Sequence, residues 1–280
     1  MSGHANDYFA DTTRESWSNA LKYMSDSARA YRWHKDNPMK PKPMWAVYRS
    51  AHMGLLEPDR FDTDVVTYNG RRDKRTKAYK EFLEEHDGAE ILSPTEYDTV
   101  RYMVDAGMNH KRAWELLSAP GASEKPVHWT DPVTGIDCKG LLDKHAWGRI
   151  VVDVKCSTPG DFHSFEHHAE GESWRPIRKY KYYGQVGFYE IQTGADGPIP
   201  AGHEDESQIV ALESAPPYDV AVHEMGQWSK LGQELVRDCL VALDTCEKAG
   251  EWAGKYVEPV KSVPPPFMYK EEEDDLDYEE

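Results

Sequence analysis

GLLDKHAWGRIVVDVKCS, residues 140–157, decides how the chain is read. Two runs of strand character, GLLD and RIVVDVKCS, flank the turn-forming AWG. In a hairpin centred on Gly148, Asp143 faces Asp153 on one side of the ribbon, with Cβ atoms ~5 Å apart. Lys155, two residues past Asp153, shares that face. Ile150, Val152 and Val154 point the other way, into a core. A D-x-K triplet alone is common on surfaces. Opposed acids are less so, because two carboxylates so placed repel strongly unless a cation lies between them. A hard divalent cation with oxygen ligands, Mg²⁺ or Mn²⁺, is the economical partner. A lysine beside it can orient or deprotonate a water, or steady transition-state charge. The layout suits metal-assisted phosphodiester hydrolysis.

Working outward, KPVHWT (125–130) and IDCKGLLD (136–143) join this hairpin through the turn DPVTG, giving an antiparallel meander. Downstream, helices are expected at 161–170 and 177–192, then strands QIVALES (208–214) and YDVAVHEM (218–225) around APP, then a helix over 227–249. Upstream, 14–34 reads as a helix with a candidate break near Ser25. Residues 44–57 read as a second helix with Trp45, Met53 and Leu56 as its apolar stripe, and 74–86 as a charged, exposed third. Ser93, Pro94 and Glu96 form a capping-box start, opening a helix expected to run to Leu117. The pattern predicts one α/β domain over residues 14–260. Its mixed central sheet, an antiparallel meander plus further strands, is flanked by helices. Residues 1–13 read as a flexible N-terminus and 261–280 as a Pro-rich, then acidic, disordered tail. No internal repeat is visible.

With 39% hydrophobic and 30% charged residues, the 280-residue chain has the composition of a globular protein with a real core. No apolar run approaches bilayer-spanning length, and the N-terminus lacks a signal-peptide layout. The expected location is the cytoplasm of a bacterial or phage-infected cell. Cys138, Cys156, Cys239 and Cys246 show no C-x-x-C spacing and are expected as reduced thiols rather than zinc or iron–sulfur ligands. HSFEH (163–167) fits the H-x-x-E-H pattern of zinc peptidases, but no third-ligand helix follows. His163, Glu166, His167 and His168 are therefore read as a polar helix face. The net charge of −17 argues against nucleic-acid binding. Yet the last eleven residues contribute −7 of it, and NGRRDKRTKAYK (69–80) packs six basic residues against one aspartate. Net charge governs long-range steering, not what one groove holds. Arg71, Arg72 and Arg75 read equally as a phosphate-contacting strip or a solvated face.

Gln185 and Tyr189, in KYKYYGQVGFYEIQ, share a helical face at i, i+4. That helix follows the hairpin closely enough to pack beside it. Together the blocks AHMGLLEPDRF (51–61), RRDKRTKAYKEF (71–82), SEKPVHWTDPVTGIDCKGLLD (123–143), VVDVKCST (151–158), YYGQVGFYE (182–190) and VALESAPPYDVAVHEM (210–225) carry a resemblance. The chain resembles the RecE (exodeoxyribonuclease VIII) family, within the RecB-like branch of the PD-(D/E)xK nucleases.

The resemblance implies metal ligation by His52, Asp143 and Asp153, a catalytic Lys155, and a Q-x-x-x-Y motif at Gln185 and Tyr189. Glu124 matches an acid common before the first meander strand, and a one-residue slip in register would turn it to the other face. Neutral imidazole is a better ligand for Mn²⁺ than for Mg²⁺. Family likeness further implies a 5′-to-3′ exodeoxyribonuclease acting on double-stranded DNA ends and leaving 3′ overhangs for recombination. It also implies a ring-like homo-oligomer (tetramer or trimer) and a single-strand annealing partner. A structure-specific endonuclease of the same superfamily and a non-catalytic DNA-end-binding protein are the alternatives.

Overall fold

The meander forms the first three strands of a five-stranded sheet: β3 (Gly121–Thr130), β4 (Asp137–Ala146) and β5 (Ile150–Ser157). The computed structural model describes residues 8–39, 42, 44–157, 177, 179–192 and 206–259. Strands β6 (Gln208–Glu213) and β7 (Val220–Glu224) complete the sheet in the order β3-β4-β5-β6-β7. Only the β5–β6 pair is parallel. The mixed α/β class expected from the sequence is the class observed. The helix expected at 161–170, with its four polar residues, and the acidic tail lie outside the described residues, as does most of the N-terminal segment 1–13.

The hairpin register is the one the turn dictates: Ala146 faces Ile150, His145 faces Val151 and Lys144 faces Val152. Trp147 and Gly148 make the turn with φ of 52° and 71°, the left-handed backbone that tight hairpins require. The ladder then stops one pair short of the two aspartates. From Val152 onward β5 pairs with β6, through Asp153–Ile209 to Ser157–Glu213. The sheet therefore forks between β4 and β5. On β4, the vacated hydrogen bonds near Cys138 go to Glu15, which donates to the Asp137 carbonyl and accepts from the Lys139 N–H.

Both faces of β5 are covered, as befits a central strand. Ile150, Val152 and Val154 pack with Val47, Leu55, Val104 and Leu212. Val151 packs on the other side with Trp17, Leu142, Phe188 and Leu240. Each fully buried Val or Ile contributes about 1.5–3 kcal/mol, so this strand is held firmly where function needs rigidity.

The helices come from both ends of the chain. α1 opens as a π-turn, Trp17–Leu21, and continues as Lys22–Met24; α2 is Ala28–Asp36, so the break near Ser25 is present. α3 is Met44–Leu56 and α4 is Pro58–Asp64. The core face of α3 is Val47, Ala51 and Leu55, with Trp45 and Met53 only partly buried, so the expected stripe is rotated. α5 is Lys77–Glu85. α6 (Pro94–Asn109) starts with the full Ser93–Glu96 capping box. It ends at His110, not Leu117, because the His110 ring accepts the Ala113 N–H and starts a separate helix, α7 (Lys111–Leu117). β1 (Val65–Thr67) and β2 (Glu90–Leu92) form a parallel pair that sequence reading does not anticipate. Three residues are too few to show period-2 alternation. α8 (Tyr182–Glu190) and α9 (Gly226–Ala249) close the fold.

α8 sits on the fork. A Cβ on Gly187 would stand 2.4 Å from the Gly232 and Gln233 backbone, so α8 and α9 touch backbone to backbone. Glu190 fixes the C-terminal end, accepting from Ser229 (2.9 Å), Gln233 (3.0 Å) and Ser207.

Candidate active site

At the fork, Asp143 takes over the role of the missing ladder bond: its Oδ2 accepts the Val154 N–H at 2.7 Å. α3 brings His52 against it, with Nδ1 3.7 Å from the same oxygen. Burial and the nearby Lys155 push the His52 pKa down to about 4, against the opposing pull of Asp153. The ring is thus neutral at physiological pH, and its contact with Asp143 is not an ion pair. A neutral imidazole is the form that ligates metal.

Glu124 comes from β3. Ser123 pairs with Lys144 and Lys125 with Leu142, so register sets Glu124 opposite Asp143. Glu124 itself leaves the ladder with φ of 47°. A side chain other than glycine costs about 1–3 kcal/mol in such backbone, a strain typical of functional positions. Burial, Asp143 and Glu57 drive its pKa up to about 8, partly offset by Arg60. The ligand atoms of His52, Glu124 and Asp143 all lie within 4.8 Å of one another. Asp153 is not part of this cluster, which differs from the set of His52, Asp143 and Asp153 that the family likeness implies.

Asp153 faces the other half of the cleft. Its side chain is fully buried and ion-paired with Lys155, and its Oδ1 accepts from Gln185 Nε2 at 3.2 Å. Gln185 also donates to the Tyr189 hydroxyl at 2.9 Å. The Tyr189 ring packs against β4 at Gly140, where a Cβ would stand 3.0 Å from it. Burial lifts the Asp153 pKa to about 6 despite Lys155, with Asp143 adding to the rise. Burial alone would lower Lys155, but Asp153 and Asp143 outweigh it and hold the ammonium charged. Its Nζ also lies 5.0 Å from the Tyr182 ring centre. The structure thus brings six expected residues together: His52, Glu124, Asp143, Asp153, Lys155 and Gln185, with Tyr189 behind.

The three arginines do not join them. Arg72 bridges the Ile91 carbonyl (3.1 Å) and Glu96 (2.7 Å), so it ties its segment to β2 and α6. Exposed Arg75 pairs with Asp73, and Arg71 is exposed. Sequence reading missed Glu57 and Arg60. Arg60 pairs with Glu57 and, at 2.9 Å, with Asp64, and both Glu57 and Arg60 act electrostatically on Glu124. Nothing local marks them, since Glu57 stands as an ordinary residue before the Pro58 helix start. All four cysteines are free, and none belongs to a metal-type cluster among the described residues.

Two carboxylates and a neutral imidazole fit a hard divalent cation. Asp143, Glu124 and Asp153 all sit above the ordinary carboxylate range, so added positive charge here would relieve burial and repulsion.

A forked mixed sheet with an acid–histidine cluster beside a D-x-K lysine defines a protein of the PD-(D/E)xK nuclease class. Residues 16–258 match the model of the PDDEXK-like domain of unknown function (DUF3799), and the chain belongs to that family. It is also similar to the crystal structure of a candidate exonuclease from Eubacterium rectale. The TM-score is 0.57 at 12% identity, covering 96% of each chain. At that identity the likeness is one of fold. No curated protein matches the chain. These findings support a nuclease whose class uses divalent metal. Among the described residues, no helix is long and apolar enough to cross a membrane.

Proposed function

We propose that the protein is a divalent-metal-dependent exonuclease that degrades double-stranded DNA from the 5′ end. The carrying observation is the convergence of His52, Glu124 and Asp143 within 4.8 Å, flanked by the buried Asp153–Lys155 pair. His52, Glu124 and Asp143, with Asp153 adjoining, would hold one or two ions, Mg²⁺ or Mn²⁺. A bound ion of this kind supplies Lewis acidity and a water of lowered pKa. Lys155 Nζ positions the attacking water and steadies charge on the phosphate oxygens. Gln185 orients the Asp153 carboxylate, and Tyr189 fixes Gln185.

Polarity, the 3′ overhang, the ring-like oligomer, the annealing partner and a cytoplasmic site of action rest on the RecE resemblance. Exposed Arg71 and Arg75 are the candidate contacts to duplex phosphates, while Arg72 serves the fold.

Digestion of a linear duplex labelled at either the 5′ or the 3′ end, with and without Mg²⁺, tests this reading. Early, Mg²⁺-dependent release of 5′ label as mononucleotide is expected. Internal fragments would indicate an endonuclease. An intact duplex from both wild type and Asp153→Ala would indicate DNA-end binding without cleavage.

A further inference from the structure

Beside the metal cluster, on its Lys155 side, lies a cavity of about 290 Å³ lined in part by Trp17, Lys22, Tyr23, Lys181, Tyr182 and Gln185. Two of these residues connect it to the cleft. Gln185 hydrogen-bonds Asp153, and Tyr182 lies under the Lys155 ammonium. The cavity therefore adjoins the Asp153–Lys155 side of the site through these two lining residues.

Its cations are unevenly partnered. Lys155 has Asp153. Lys181 has Asp26 at 2.8 Å and the Lys22 carbonyl at 3.2 Å. Lys22 is half-buried, lies 5.2 Å from the Tyr23 ring centre, and has no carboxylate partner among the described residues. The charges that act on it are Lys155 and Lys181, and these add to burial in depressing its pKa. A half-buried ammonium facing two other cations is destabilised unless an anion neutralises it.

The surrounding groups narrow the anion. Trp17 is buried in the core behind the cavity wall, and one face of Tyr23 is stacked on His34, so the remaining surface of the Tyr23 ring and the Tyr182 ring offer the apolar contact for a base. The volume is near the lower edge of small-molecule pockets, roughly 300–1,000 Å³, which suits one nucleotide rather than a longer strand segment.

We propose that this cavity is a nucleotide subsite in which Lys22 binds a non-scissile phosphate of the nucleotide adjoining the cleaved bond, while the aromatic walls hold its base. The assignment deepens the nuclease reading and rests on it for the identity of the strand. Binding of the nucleotide itself does not require that reading.

Titration calorimetry on the full chain, in EDTA, tests it with thymidine 5′-monophosphate, thymidine and inorganic phosphate. Without metal, the acidic half of the cleft repels phosphate, so binding there does not compete. Thymidine 5′-monophosphate is expected to bind, thymidine not detectably, and inorganic phosphate more weakly than the nucleotide. Loss of a charge-assisted contact predicts affinity roughly 10–100-fold lower in Lys22→Ala. Lys22→Arg, which keeps the charge, retains binding and guards against misfolding of the alanine variant. If wild type fails to cleave DNA in Mg²⁺ yet binds the nucleotide through Lys22, the nuclease reading falls and the subsite stands. The subsite is overturned if wild type does not bind the nucleotide, if Lys22→Ala binds it unchanged, or if inorganic phosphate binds equally well.

Discussion

Lys139 and Lys155 occupy adjacent strands of one sheet, and both are largely withdrawn from water. Their partners differ in kind. Lys139 donates to the backbone carbonyls of Tyr8 (2.6 Å) and Asp11 and lies 4.4 Å from the Tyr8 ring centre. Carbonyls satisfy its protons but supply no full counter-charge, and burial lowers its pKa. Lys155 faces the carboxylates Asp153 and Asp143, and its pKa is raised. The first lysine clamps the N-terminal segment to β4. The second keeps a fixed positive charge beside an acidic cleft. The same side chain at similar depth becomes a strut or a reagent according to whether its acceptors are neutral or charged.

The sharpest way to break this comparison is to remove each lysine and follow cleavage. Lys155→Ala is expected to lower single-turnover cleavage of end-labelled duplex by roughly 10²–10⁴-fold. Lys139→Ala, tested at a temperature where it is folded, should stay within a few fold of wild type. Equal losses in the two variants would erase the distinction.

Stability should separate the two lysines by its response to metal rather than by size. Lys139→Met removes two charge-assisted hydrogen bonds and should cost about 2–4 kcal/mol in urea unfolding. Addition of Mg²⁺ should not reverse this loss, because the clamp lies apart from the cluster. Lys155→Met leaves Asp153 buried beside Asp143 without its cation. Its deficit should shrink when Mg²⁺ is added, by linkage to the folded state.

Glu124 extends the comparison to a half-buried carboxyl with no lysine partner. Its carboxyl keeps its proton up to about pH 8 in the metal-free fold, whereas the unfolded chain releases it near pH ~4.3. Between these values the native state binds the extra proton, so metal-free stability falls as pH rises and levels off above about pH 8. Glu124→Gln should flatten that slope in melting curves recorded in EDTA. It should also stabilise the metal-free protein at pH 8 by roughly 1–3 kcal/mol, discounted for partial exposure. The same variant should bind Mn²⁺ more weakly.

The smallest effects are expected at the arginines. Arg72→Ala should destabilise the protein by about 1 kcal/mol through loss of its Ile91 and Glu96 contacts. Arg71→Ala and Arg75→Ala should leave stability unchanged. Each should reduce the salt slope of duplex binding by about 1. An unchanged slope would mark the strip as a solvated face.

Local chemistry made much of this molecule legible in advance. The turn around Gly148 sets the pairing of Lys144 with Val152, and the Ser93–Glu96 box sets the start of α6, because each depends on residues a few positions apart. The i, i+4 spacing of Gln185 and Tyr189 likewise anticipates their hydrogen bond. The chain's order of residues thus determined the meander, the mixed α/β class and the short roster of acids, histidine and lysine from which a site is drawn. Tertiary structure alone decided how that roster divides. β5 leaves β4 for β6 one pair before the aspartates, which turns Asp143 toward His52 and Glu124 and Asp153 toward Lys155 and Gln185. That division depends on strand competition across about sixty residues of intervening chain, and on the left-handed kink at Glu124. Neither leaves a trace in local spacing, because pairing partners are selected by packing of the whole sheet.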